Sequence, residues 1–219
     1  MKQLYIRLIC CICLLLCTAT MASAQHAQPY VSLIGGIQLT DEMTLSDQTG
    51  DYSLDFEDGF FTGGTFGFYL GDAFPQLGKG RIELEVGFRY NELKEAHFAT
   101  GTDPAYGELT TISVMLNTLA EYRTYSPYYI PYVGVGVGLA HVAMIDTRVG
   151  LSPMIDDESL QIAYQALAGV SVPLREKLSL DCGYRFFSTF DPEFTDSQNR
   201  KVDAEYANHT FELALRLSF

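Results

Sequence analysis

The sequence has no tryptophan, and its 27 acidic residues outnumber its 14 lysines and arginines, for a net charge of −13 at pH 7. This excess of negative charge argues against nucleic acid as a partner. Four of the five cysteines lie between residues 10 and 17, and the fifth is Cys182. No run of 18 consecutive apolar residues follows residue 24, which excludes a transmembrane helix from that part of the chain.

The first 24 residues have the pattern of a secretory leader. Two basic residues precede an unbroken apolar run over residues 8–16, and the small residues of Ala22–Ala24 follow. The apolar run is too short to cross a bilayer as a helix, so the pattern predicts a cleaved signal peptide over residues 1–24. Residues 25–219 would then form one exported domain without a disulfide. The alternative is an N-terminal membrane anchor that stays attached.

The rest of the chain alternates between apolar and polar residues. In Arg81–Asn91 every second residue from Ile82 to Tyr90 is apolar, and the residues between them are charged, polar or glycine. Alternate residues of a β-strand face opposite sides of the sheet. Eight segments fit this pattern: Pro29–Thr40, Phe60–Leu70, Arg81–Asn91, Leu109–Arg123, Tyr132–Met144, Leu160–Val172, Leu178–Phe187 and Asn208–Phe219.

Eight such segments predict an all-β fold, an eight-stranded antiparallel up-and-down transmembrane β-barrel. Its connections alternate in length, with long ones at 40–59, 92–108, 145–159 and 188–207, and shorter ones at 71–80, 124–131 and 173–177. This order is typical of long extracellular loops and short periplasmic turns, with both termini in the periplasm. A soluble sandwich would share the alternation of residues but not of loop lengths. Ten strands remain an alternative if Tyr52–Phe56 belongs to a hairpin.

The predicted inward faces carry five acidic and five basic residues: Glu83, Glu85, Glu121, Asp181, Glu212, Arg81, Arg89, Arg123, Arg185 and Arg216. Buried charges persist only when they are paired, and eight strands enclose just enough space for side chains to fill. We therefore expect a lumen charge network that plugs the barrel, formed by Glu83, Glu85, Arg89, Glu121, Asp181, Arg185, Glu212 and Arg216. Arg81 and Arg123 are expected near the periplasmic rim, where they would count for less. Room for the arginines is expected from Gly134, Gly136, Gly138 and Gly183. The alternative is a narrow polar pore or a proton path.

Several stretches carry a family resemblance: PYVGVGVGLA (Pro131–Ala140), MLNTLAEYR (Met115–Arg123), LSLDCGYRFF (Leu178–Phe187) and the ending FELALRLSF. They resemble small barrels of the OmpA-transmembrane-domain, OmpX and opacity-protein type from Gram-negative outer membranes. The resemblance implies contact with outer-membrane lipid and lipopolysaccharide. It also implies that Phe219 is an assembly signal read by the barrel-assembly machinery. Members serve as adhesins, structural anchors or minor porins, so the resemblance does not select one activity.

The predicted loops are the expected functional surface. The first holds seven acidic residues and no basic one. Ca²⁺ or Mg²⁺ could bind there, but the spacing matches no EF-hand, so a solvated loop without metal is favoured. A lipid A-modifying enzyme would use His141 or His209, yet no serine lies two residues after either and no G-x-S-x-G occurs.

We therefore predict a non-enzymatic structural or surface-interaction protein, adhesin-like, without catalytic residues or a cofactor. Its loops would contact host or other cell-surface ligands. A small porin or ion-conducting channel is the alternative function.

Overall fold

The computed structural model describes residues 28–47, 50–70, 79–98, 101–123, 126, 128–150, 152–153, 156–190, 193–195, 201–204 and 206–219. The predicted signal peptide lies outside these residues. Within them, no helix has the length and hydropathy needed to cross a membrane. The strands of the described part are β1 (Gln28–Thr40), β2 (Met43–Asp47), β3 (Gly50–Phe56), β4 (Gly59–Leu70), β5 (Lys79–Phe98), β6 (Gly101–Glu121), β7 (Ile130–Val149), β8 (Ser152–Pro153), β9 (Asp157–Arg175), β10 (Leu178–Thr189), β11 (Glu193–Thr195), β12 (Lys201–Ala204) and β13 (Ala207–Ser218).

Eight of these strands form a closed wall. The order around it is β1, β4, β5, β6, β7, β9, β10 and β13, and β13 pairs with β1 again. All neighbours are antiparallel, and closure leaves the wall without a free edge. The eight-stranded antiparallel barrel predicted from the sequence is therefore confirmed.

The outward faces of the wall are apolar. Leu33, Val135 and Phe211 are 71%, 66% and 58% exposed, and many other aliphatic and aromatic residues of the wall are exposed with them. Each strand alternates these residues with buried inward ones, as the sequence pattern predicts. An exposed apolar belt that surrounds the whole molecule is unsuited to water and matches the hydrocarbon region of a bilayer.

Four wall strands are about twice as long as a membrane crossing requires. The lengths of β5, β6, β7 and β9 are 20, 21, 20 and 19 residues, or about 65 Å at roughly 3.3 Å per residue, whereas about 10 tilted residues cross a bilayer. They extend on the side of the predicted extracellular loops. The prediction of a loop over 92–108 is wrong for most of that range, because β5 continues to Phe98 and β6 begins at Gly101. The register of β5 against β6 is irregular between Glu92 and Glu95, and this interrupts the two-residue alternation from which the longer strands could have been predicted.

A small outer sheet continues from the extension of β5. β3 pairs with β5, β2 with β3, β12 with β2 and β11 with β12. The hairpin of β2 and β3 contains Tyr52–Phe56, but it joins this outer sheet and not the wall. The ten-stranded alternative is therefore wrong, although the hairpin it required exists.

The interior consists of two layers. The lower layer, toward the periplasmic end, holds the buried charges and is called the lumen network below. The upper layer is called the apolar layer, and its buried residues are Met43, Leu45, Leu54, Leu93, Ala96, Ala105, Leu109, Met115, Ala140, Val142, Met144, Ala163, Phe187 and Tyr206.

Candidate functional site

One part of the lumen network joins two arginines to two shared carboxylates. Arg216 Nη1 lies 3.0 Å from Asp181 Oδ2 and 3.4 Å from Glu121 Oε1. Arg81 Nη1 lies 3.3 Å from Glu121 Oε1 and 3.4 Å from Asp181 Oδ2. All four side chains are buried. Because each carboxylate faces at least two guanidinium groups, removal of one arginine would still leave both acids a partner.

A second part is centred on Arg185 of β10. Arg185 Nη1 lies 2.6 Å from Glu85 Oε1, and Nε donates a hydrogen bond of 2.8 Å to Glu212 Oε2. Gln165 Oε1 accepts a further bond from Nη1 at 2.7 Å, and Asn117 donates to Glu85 at 3.0 Å. The partners of Arg185 lie on β5, β9 and β13, and Asn117 of β6 joins through Glu85. The guanidinium group therefore links β10 directly to three other wall strands.

Seven of the eight predicted network residues make ion pairs with other described residues, and the exception is Arg89. The Arg89 side chain is fully buried, but its hydrogen bond goes to Ser113 Oγ at 2.8 Å. Its guanidinium carbon lies 3.7 Å from the centre of the Phe187 ring and 4.6 Å from that of Phe61. Two of its nitrogens, Nε and Nη2, have no hydrogen-bond partner among the described residues. The two-residue alternation correctly predicts that Arg89 points inward. It does not predict the position of the side chain along the barrel axis, and Arg89 lies at the border with the apolar layer.

The expectation that Arg81 would count for less in the network is wrong. Its side chain is buried, and besides Glu121 and Asp181 it faces Glu83 at 3.7 Å. Arg81 is near the start of β5, but its long side chain reaches into the barrel, so its strand position underestimates the depth of the charge. Arg123 is partly exposed and pairs with Glu121 at 2.6 Å.

Aromatic residues inside the barrel were missed from the sequence. Tyr30 donates a hydrogen bond of 2.7 Å to Glu83, and the Arg81 guanidinium carbon lies 5.1 Å from the centre of the Tyr132 ring. The Phe61 ring lies between two guanidinium groups, 4.6 Å from Arg89 and 4.7 Å from Arg185. Such contacts favour a cation over the ring face. These aromatic residues occupy inward positions of the predicted strands, so the alternation could have been used to place them inside the barrel.

The predicted role of the glycines is also wrong. A Cβ atom at Gly183 would lie 2.5 Å from Tyr132 Oη. At the other three positions it would meet neighbouring side chains: Leu119 at Gly134, Asn117 and Gln165 at Gly136, and Met115 at Gly138. The glycines thus make room for polar, apolar and aromatic neighbours and not for arginines.

The apolar layer lies inside the barrel above the lumen network. Met43, Leu45 and Leu54 of the β2–β3 hairpin have no exposed surface and belong to one buried cluster with residues of the long wall strands such as Leu93 and Val142. In the lower layer, a cavity of about 20 Å³ lies between Arg81, Asp181 and Glu212 and other residues. That volume accommodates about one water molecule. Buried side chains thus occupy both levels of the described interior.

The two histidines of the enzyme alternative lie toward the outer ends of their strands. His141 Nε2 lies 3.4 Å from Glu158, and His209 Nε2 lies 3.3 Å from Asp41. The His209 ring also stacks on Tyr184, with 5.9 Å between ring centres. Each contact is an ordinary pairing between adjacent strands.

Comparison with known proteins identifies the family. A family described as surface antigen matches residues 23–215, which is most of the chain. The chain belongs to the surface antigen family. Comparison with curated proteins gives no match.

Two solved barrels show the same fold as this surface antigen. Neisserial surface protein A is 18% identical, with a TM-score of 0.54 over 89% of this chain and 100% of that one. The outer membrane protein OprG from Pseudomonas aeruginosa is 14% identical, with a TM-score of 0.53 over 88% of this chain and 97% of that one. The resemblance to small outer-membrane barrels is confirmed, and the protein resides in the bacterial outer membrane.

Proposed function

We propose that this surface antigen is a non-enzymatic, adhesin-like protein that binds cell-surface ligands through its outer sheet and extracellular loops. The observation that carries the proposal is the combination of a filled interior with an ordered structure outside the membrane. A filled interior favours a supporting role for the barrel, and an outer sheet supplies a surface for contacts.

The filled interior argues against transport as the main activity. The lower layer contains charges that are already neutralised by one another, such as Arg185 with Glu85 and Glu212. An ion that passed would have to break these pairs, and stranding a buried charge costs several kcal/mol. Above them, Met43 and Leu54 cover the barrel with apolar groups. Both layers would have to open together for solutes to cross.

The outer surface has the chemistry of a contact site for cations or basic ligands. Asp41, Glu57 and Asp58 are exposed near the outer sheet. The first loop carries no lysine or arginine. A surface of this sign favours basic partners, or anionic partners that are bridged by divalent cations. A binding surface formed by the strands of a sheet loses less conformational entropy when a partner binds than a flexible loop does.

The test is cell adhesion by bacteria that express the full chain in a non-adherent host. Wild type should increase binding to cultured cells or matrix-coated surfaces. A variant with Asp41→Asn, Glu57→Gln and Asp58→Asn should lose most of that increase. Glu176→Gln is the matched control, since Glu176 is exposed in the turn between β9 and β10 at the opposite end.

The proposal is wrong if wild-type cells adhere no better than cells without the protein. It is also wrong if the triple variant adheres as well as wild type at equal surface expression. Lipid A from expressing cells, measured by mass spectrometry, should be unchanged, since an altered acyl pattern would support the enzyme alternative.

A further inference from the structure

The solvent face of the outer sheet brings together three potential metal ligands. Met43 pairs with Leu54 between β2 and β3, so Glu42 lies across from Asp55. Ser53 of β3 pairs with His97 of β5. Because Met43, Leu54 and Ala96 point into the apolar layer, alternation directs Glu42, Asp55 and His97 to the opposite face.

The ligand atoms of these three residues converge. The carboxylate oxygens of Glu42 and Asp55 and an imidazole nitrogen of His97 all lie within 4.8 Å of one another. His97 Nε2 is 3.3 Å from Asp55 Oδ2. Ligand atoms on a tetrahedral Zn²⁺, each about 2.0–2.1 Å from the ion, lie about 3.3–3.4 Å apart. One edge of a tetrahedron is therefore already formed, and the Glu42 carboxylate, within 4.8 Å of both atoms, is the third ligand of the face.

Neighbouring hydroxyl groups orient two of the ligands. Thr102 Oγ1 lies 2.8 Å from His97 Nδ1, and Ser53 Oγ donates a hydrogen bond to Glu42. In the tautomer in which Nδ1–H donates to Thr102, the Nε2 lone pair faces the carboxylates, which is the state that binds a metal. Hydrogen-bonding partners of this kind are common around the ligands of metal sites.

We propose that Glu42, Asp55 and His97 form a binding site for a divalent transition-metal ion of the Zn²⁺ class. An imidazole together with carboxylates suits Zn²⁺ better than Ca²⁺ or Mg²⁺, which prefer oxygen ligands alone. The ion offsets two negative charges in a loop that supplies no positive one. It also cross-links β2 and β3 to β5, so it fastens the outer sheet onto the apolar layer. A fourth coordination position stays open to water or to an external donor group.

The other two histidine pairs provide matched controls. His141 faces Glu158 and His209 faces Asp41, each with one carboxylate. Neither forms a three-ligand group among the described residues. A single histidine–carboxylate pair is a weak metal site, so the proposal predicts binding at His97 and not at the other two.

The experiment titrates Zn²⁺ into the full mature chain, purified in detergent without a histidine tag and treated with a chelator. Calorimetry should show one Zn²⁺ per chain, and Co²⁺ should give the intense visible absorption of tetrahedral coordination. His97→Ala and Asp55→Asn should each weaken Zn²⁺ binding at least tenfold, while His209→Ala should bind as wild type does. Zn²⁺ should also slow proteinase K cleavage of wild type but not of His97→Ala.

Heat-modifiable migration on a gel verifies the fold of every variant, and binding is compared only between folded ones. Absence of saturable Zn²⁺ binding to wild type overturns the proposal. Equal binding by folded His97→Ala and wild type overturns it too, since the ion would then be held elsewhere. Loss of adhesion would not affect this result, because metal binding is measured on the isolated protein.

Discussion

Arg185 is the residue on which the second part of the lumen network depends. Its guanidinium group faces both Glu85 and Glu212, and all three side chains are buried. Arg185→Met keeps much of the volume but leaves two acids without their cation. We expect the free energy of unfolding to fall by about 3–5 kcal/mol, measured by denaturant titration in detergent or lipid.

Removal of the stranded charges should recover part of this loss. The triple variant with Arg185→Met, Glu85→Gln and Glu212→Gln should be more stable than Arg185→Met alone. Arg175→Met, at the exposed end of β9, is the control and should change stability by no more than about 0.5 kcal/mol. If Arg185→Met were as stable as the control, the pairs would not be buried in the way described.

Gly183 tests how closely the barrel interior is packed. Gly183→Ala places a methyl group 2.5 Å from the Tyr132 hydroxyl, so the ring must move. We expect a loss of about 1–3 kcal/mol in the free energy of unfolding. Tyr132→Phe removes the clashing oxygen and should restore most of the loss in the double variant. Gly35→Ala is the control, since nothing lies within 4 Å of its Cβ position. Equal effects of Gly35→Ala and Gly183→Ala would contradict the described packing.

The β2–β3 hairpin depends on apolar burial at the element scale. Leu54 has no exposed surface and contributes to the apolar layer. Leu54→Asp would bury a charge without a partner, and the hairpin should therefore detach from the barrel. We expect faster proteinase K cleavage within residues 40–59, while heat-modifiable migration shows that the wall stays folded.

Thr44→Asp is the matched control for the hairpin. Thr44 lies on β2 between Met43 and Leu45 but is exposed. The same charge placed there should leave the cleavage rate near that of wild type. Equal cleavage of both variants, or of neither, would show that the apolar layer does not hold the hairpin.

The wall strands could be predicted from the sequence, while the outer strands could not. All eight wall segments follow a two-residue period, because one face meets lipid and the other meets the interior. Outside the bilayer that contrast weakens, and the irregular register at Glu92–Glu95 shifts the period. The apolar residues of β2 and β3 are too few to form a clear pattern, so the sequence favoured a loop there and offered a hairpin at Tyr52–Phe56 only as an alternative.

The sequence predicted which charged side chains point into the barrel, but not where they lie along the barrel axis. Alternation shows whether a side chain points inward, and it did so for every member of the lumen network. It does not show the height of a guanidinium group or which acid it meets, because those depend on strand tilt and register. Arg81 and Arg89 were therefore assigned the wrong surroundings. Cleavage of the chain after Ala24 and the role of Phe219 in assembly stay predictions.

The whole molecule separates three environments along one axis. The lumen network occupies the lower interior, the apolar layer occupies the upper interior, and the acidic outer sheet faces the exterior. The charges of the lower interior largely neutralise one another, so among the described residues the excess of acidic side chains lies mainly outside the barrel. The described part of the molecule thus has charged and apolar side chains inside the barrel and acidic side chains near its outer sheet.

Single-channel recording in planar bilayers tests the closed interior most directly. A chain of residues 25–219, shown to be folded by heat-modifiable migration of the same sample, should insert without giving discrete conductance steps above the lipid baseline. Reproducible open channels from wild-type protein, lost when the sample is boiled, would contradict a barrel filled by the lumen network and the apolar layer.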